Sequence, residues 1–161
     1  RMGMPVVGWA YPRGEHIDAK AGSNSIYAID YAARVAVELG ADVVKVNFPD
    51  TGSDGMVGPN EASPKPYDSM SWTLEESISK IVRSAGRTLI IMSGGALVDD
   101  DLLLDRVDAA LAAGAAGFIF GRNIWQRPHD EAVEIVGQMK ERMAKHAIPS
   151  GGFHNSNDNG Y

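Results

Sequence analysis

Ala41-Asp42-Val43-Val44-Lys45-Val46-Asn47-Phe48 is the stretch from which the fold can be read. It is short and rich in β-branched residues, and it follows directly on a helix-like segment, residues 25–39, whose stop signal is Gly40. Side chains of a strand alternate between its two faces, which sets Val44, Val46 and Phe48 against Val43, Lys45 and Asn47. One face is wholly apolar, so it packs under helices. The other carries an amine and an amide among valines.

The same grammar of helix, glycine and strand returns downstream. Leu39-Gly40-Ala41-Asp42-Val43 is echoed by Ala113-Gly114-Ala115-Ala116-Gly117. Strands are expected near residues 5–11, 42–48, 88–93 and 116–121, and helices near 25–39, 73–84, 99–113 and 130–146. The helix at 99–113 sets Leu103, Leu104, Val107 and Leu111 on one face, and Met139 and Met143 belong to the core stripe of the last helix. Strands that are apolar almost throughout, alternating with helices, imply an α/β fold with a parallel sheet covered by helices. Four such units fit in this chain, whereas a closed (β/α)₈ barrel needs eight and about 250 residues. Residues 49–72 read as a long Gly/Pro/Ser/Asp-rich loop of the kind that is functional or mobile, and 149–161 read as a disordered tail.

Composition narrows the function classes. The chain has 161 residues, enough for one domain with a sizeable core. Its net charge of −6 argues against a nucleic-acid partner, and no apolar run is long enough for a membrane span. With no cysteine there is no disulfide framework, thiolate nucleophile or sulfur-ligated zinc. His16, His129, His146 and His154 lack metal-ligand spacing, and Asp99-Asp100-Asp101 suits a helix start better than a metal. A cytoplasmic location is the default expectation.

Chemistry in parallel α/β folds gathers at the C-terminal ends of the strands. Here those ends read Trp9-Ala10-Tyr11-Pro12-Arg13-Gly14, Lys45-Val46-Asn47, Ser93-Gly94-Gly95 and Gly121-Arg122-Asn123. A partly desolvated amine titrates closer to neutrality and can add to a carbonyl, although a strand-end lysine paired with a carboxylate is the plainer alternative for Lys45. Trp9 and Tyr11 share a face, with small Gly8 and Ala10 on the other, where a helix can come close. Tyr11 beside an amine is a candidate for proton transfer, or else a rim aromatic. Ser93-Gly94-Gly95 exposes backbone N–H groups to an anion, and Gly121-Arg122 adds a fixed positive fork. Arg13 suits a rim ion pair or a substrate phosphate equally.

Trp9-Ala10-Tyr11-Pro12-Arg13-Gly14, the helix running from Tyr31 to the Lys45 strand, Ile91-Met92-Ser93-Gly94-Gly95 and Phe120-Gly121-Arg122-Asn123-Ile124-Trp125-Gln126-Arg127 resemble the archaeal-type class I fructose-bisphosphate aldolases, relatives of the deoxyribose-phosphate aldolases. The resemblance spans residues 5–140 or so, in the family's order. It implies strands five to eight of a TIM barrel, a C-terminal half over residues 5–146. It implies Lys45 as the Schiff-base lysine, Tyr11 as the proton-transfer residue and Trp9 lining the site. Ser93, Gly94, Gly95, Gly121 and Arg122 would hold the phosphate of dihydroxyacetone phosphate. No metal and no cofactor is implied, because the iminium is the electron sink; the setting would be glycolysis and gluconeogenesis.

Three departures stand out. The family's first four strands are absent, with an acidic residue of its site. The 49–72 loop is long, and Ala96-Leu97-Val98 stand where a lysine often follows Ser-Gly-Gly. The expected activity is cleavage and formation of fructose 1,6-bisphosphate, a sugar-phosphate substrate. The alternatives are a related heptulosonate synthase and an incomplete half-barrel serving as a phosphate-binding or assembly module. Open strand edges lead to the expectation of a homo-oligomer.

Overall fold

The computed structural model describes residues 3–20, 22–59 and 62–146. The tail expected at 149–161 lies outside them. The elements run β1 (Val7–Trp9), α1 (Glu15–Lys20), α2 (Ile26–Glu38), β2 (Val43–Asn47), α3 (Leu74–Ala85), β3 (Leu89–Ser93), α4 (Asp100–Ala112), β4 (Gly117–Ile119), α5 (Arg122–Trp125) and α6 (His129–Lys145). The four strands form one sheet in the order β1-β2-β3-β4, and every pairing is parallel. The strand–helix alternation read from the sequence is what the chain folds into. The first and last strands are shorter than expected, and the two brief helices α1 and α5 carry too few residues to show a periodicity.

Local signals explain the boundaries. Ser25 caps α2 by accepting from the Ala28 N–H at 3.2 Å, and Thr73 and Glu76 form a reciprocal capping box on α3. Asp99 accepts from Leu102 N–H at 2.9 Å, the role expected for the acidic run. The sequence echo at Gly40 and Gly114 is a shared helix stop. Gly40 N–H donates to Val37 and Ala41 N–H to Ala36; Gly114 N–H donates to Leu111 and Ala115 N–H to Ala110. Both glycines have positive φ, +92° and +90°, and each reverses the chain directly into a strand.

Register places side chains in rows across the sheet. Val7, Val43 and Leu89 form one row, Trp9, Lys45, Ile91 and Gly117 the next, and Asn47, Ser93 and Ile119 a third. The opposite face, with Val44, Val46, Ile90 and Met92, is fully buried in the core with Ile29, Ile78 and Ile81 of the helices. Gly8 belongs to that covered face: a Cβ there would lie 3.2 Å from the Ala41 Cβ and 3.6 Å from that of Ala36. The Lys45 face is the bare one, with Val7 48%, Leu89 51% and Ile119 39% exposed.

The long segment after β2, for which sequence left a functional and a mobile loop open, is anchored in its described residues. Val57, Tyr67 and Met70 are buried in the core, and Val57 pairs with Trp72 across an antiparallel bridge. Tyr67 packs against Tyr27 and Trp72 and donates its hydroxyl to Asp30 of α2. Lys80 of α3 donates to the same carboxylate at 2.8 Å. Burial first, and then the Asp30 carboxylate, push the Tyr67 phenol well above its ordinary range.

Candidate active site at the strand ends

An open cleft of about 690 Å³ lies at the C-terminal ends of the strands. Lys45 reaches it from the middle of β2, where the sheet on both sides leaves the residue only 7% exposed. Among the described residues no ion pair reaches its amine. Its neighbours are aromatic: Nζ lies 4.0 Å from the centroid of the Trp9 ring and 5.6 Å from that of Tyr11. The strand-end ion pair that sequence left open is therefore not how this lysine is accommodated.

Tyr11 stands edge-on to Trp9, with centroids 6.2 Å apart, and Arg13 lies 5.8 Å from the Tyr11 ring. Tyr11, Arg13, Lys45, Ser93, Gly95, Gly121 and Arg122 all line the cleft. Two residues of the expected set sit otherwise. Trp9 covers one side of the Lys45 amine and is 69% exposed on the open edge. Gly94 does not line this cleft but borders a neighbouring cavity with Ser93 and Gly95, and a Cβ on it would fall 2.3 Å from Phe120 Cδ1, so the turn packs closely there.

Several lining residues were given no site role from sequence. Asn47 follows Lys45 on the same face and donates to the Asn24 side chain at 2.9 Å; both reach the cleft. Trp125 and Ile119 close the β4 side. Alternation along β2 does put Asn47 on the lysine's face, but Asn24 comes from a loop distant in sequence and carries no local signal.

Charge is distributed unevenly. The chain as a whole carries −6, yet Arg13, Lys45 and Arg122 line the cleft, and among the described residues no carboxylate lines it. An anion is drawn to such a place, and exposed backbone N–H groups of a glycine loop add directed donors. An amine partly withdrawn from water, a tyrosine lining the same cleft and a positive rim together suit attack on the carbonyl of a phosphorylated compound.

Comparison with known proteins agrees with this geometry. Residues 1–127 match the DeoC/LacD family aldolase. The fructose-bisphosphate aldolase class 1 of Halobacterium salinarum is 38% identical over 129 residues, covering 80% of this chain and 39% of that protein. A 2-amino-3,7-dideoxy-D-threo-hept-6-ulosonate synthase of the same organism is 31% identical over 126 residues. Among solved structures, an archaeal fructose 1,6-bisphosphate aldolase superposes with a TM-score of 0.65 at 30% identity, over 86% of this chain and 44% of the other. Another archaeal aldolase, solved with its catalytic Lys covalently bound to the carbinolamine intermediate of the substrate, gives a TM-score of 0.65 at 28% identity. The chain spans about two fifths of these proteins, and its four parallel strands correspond to part of their TIM barrel. Matched over most of its length by the family and superposing on its structures, this chain belongs to the DeoC/LacD family of aldolases.

Proposed function

We propose that this chain carries the Schiff-base half of a class I fructose-bisphosphate aldolase. The observation that carries the reading is Lys45: buried, without an ion-pair partner among the described residues, and opening into a cleft that holds two arginines and no carboxylate. The Lys45 amine adds to the ketone carbon of the substrate, giving a carbinolamine that loses water to become an iminium. Cleavage then breaks the C3–C4 bond as the C4 hydroxyl gives up its proton. The bond's electron pair moves into the iminium, leaving an enamine and an aldehyde. Tyr11 is the group assigned to proton transfer, and Trp9 keeps water from one side of the amine. Ser93, Gly94, Gly95, Gly121 and Arg122 belong to the phosphate site, Gly94 through the shape it allows the loop, and Arg13 lies on the rim facing the substrate.

The bare sheet face favours a second element. Val7, Leu89 and Ile119 are exposed on the face that a closed barrel would bury, and Trp9 is exposed beside them. The chain therefore associates with further strands, another copy of itself included, and has weak or no turnover alone. The heptulosonate synthase among its relatives keeps that activity as the competing reading.

Borohydride reduction in the presence of dihydroxyacetone phosphate tests the chemistry directly. The expected adduct is on Lys45, and Lys45→Arg abolishes it, because a guanidinium stays protonated and is no nucleophile. A stable adduct found instead on Lys20 or Lys65 would overturn the assignment.

A further inference from the structure

Asn123 is wholly buried, an unusual position for an amide side chain, and each of its side-chain donors is committed. Its Nδ2 donates to Gly94 O at 3.0 Å and to Ala96 O at 2.8 Å, and its Oδ1 accepts from Val98 N–H at 3.0 Å. One residue thus holds the whole turn after β3 from a position two residues past Gly121. Arg127 braces it. Arg127 Nε donates to Asn123 O at 2.7 Å, its guanidinium donates to Val98 O at 3.3 Å, and it pairs with Asp100 at the start of α4.

Peptide geometry turns this clamp into an orientation. The only cis peptide among the described residues is Lys65–Pro66, so the bonds following Gly94 and Ala96 are trans. In a trans peptide the C=O and the next N–H point in opposite directions. With the Gly94 and Ala96 carbonyls drawn to Asn123, the N–H groups of Gly95 and Leu97 point away from it. Among the described residues neither N–H donates to a backbone carbonyl. Gly95 and Arg122 both line the cleft, and Arg122 immediately precedes Asn123 in the chain.

We propose that Asn123, braced by Arg127, is a positioning residue that locks the Ser93–Val98 turn and the Gly121-Arg122 segment into one anion-binding unit, setting the Gly95 N–H against Arg122 for a phosphate group. This rests on the aldolase reading for the identity of the phosphate ester, but the clamp itself concerns only the anion. Asn123 touches no reacting atom. It acts through the backbone of the turn.

The test titrates inorganic phosphate into the isotope-labelled whole chain and follows the Gly95 and Gly121 amide resonances. In the unmodified chain both move along one binding curve. Asn123→Ala raises the midpoint by about ten-fold or more, the scale of a lost hydrogen-bonded contact to an anion site. Trapping of unphosphorylated dihydroxyacetone on Lys45 by borohydride stays unchanged in that variant, since β2 holds the lysine independently. If Asn123→Ala fails to fold, Arg127→Gln, which removes the brace and keeps the amide, is read in the same way, with a rise of about three-fold expected. An unchanged midpoint in a folded variant overturns the proposal, as does loss of trapping together with phosphate binding. Absence of phosphate binding in the unmodified chain, or a response of Gly121 without Gly95, overturns it as well. Failure of the unmodified chain to trap any ketone would sink the aldolase reading alone, because the phosphate titration is read without it.

Discussion

Lys45 and Tyr11 illustrate how much one side chain depends on its row in the sheet. Lys45 lies level with Trp9 on one neighbouring strand and Ile91 on the other, and its side chain lines the cleft. Tyr11→Phe removes a hydroxyl and little volume, so the fold survives. Carbon–carbon cleavage, measured in whichever assembly is active, is expected to fall by about 10²–10⁴-fold while borohydride trapping on Lys45 persists. An unchanged cleavage rate would move proton transfer to another group. Gly94 answers to sterics instead. A methyl group 2.3 Å from the Phe120 ring, which is itself stacked on Phe118, forces the turn or the ring to move. Gly94→Ala is expected to lower stability by about 1–3 kcal/mol in urea unfolding.

At the level of elements, the 49–72 segment is held by a polar cluster linking α2, α3 and the loop. Asp30 accepts from both Tyr67 and Lys80, and Lys80 also donates to Ser84 at 2.8 Å. The folded state keeps the Tyr67 phenol protonated above the ordinary tyrosine value of 10.0. Its contribution to stability is fully present below pH 10 or so and is lost as pH rises above it, because the unfolded chain ionises first. Urea midpoints are expected to decline above about pH 10, at up to about 1.4 kcal/mol per pH unit from this group. Tyr67→Phe should flatten that part of the profile. An alkaline decline identical in the variant would assign it to other groups.

For the whole molecule, the decisive feature is a sheet covered on one side only. Val7, Trp9, Leu89 and Ile119 are exposed there, and Tyr31 and Val35 of α2 and Leu39 just after it are exposed as well. Burying apolar surface is worth about 25 cal/mol per Å², so association is the expected response. Sedimentation of the chain should reveal a dimer or larger species, and an aldol-cleavage assay of the same sample should give little turnover. A stable monomer with full turnover would mean that four strands suffice for the site.

What the sequence determined by itself is whatever local rules encode. Alternation in residues 43–48 assigned Lys45 to the polar face, small Gly8 marked the covered one, and Gly40 and Gly114 ended helices through bonds that span a single turn. The glycine motifs and cations of the cleft were legible because strand ends in a parallel sheet converge. Other features required the tertiary structure. Asn123 reaches carbonyls more than 25 residues away, Tyr67 meets Asp30 across 37 positions, and Val57, Tyr67 and Met70 anchor the long loop in the core. Such contacts depend on sheet register and helix packing, which bring distant backbone together only after the core has formed. Periodicity places a residue on a face, but only the folded chain decides what that face meets.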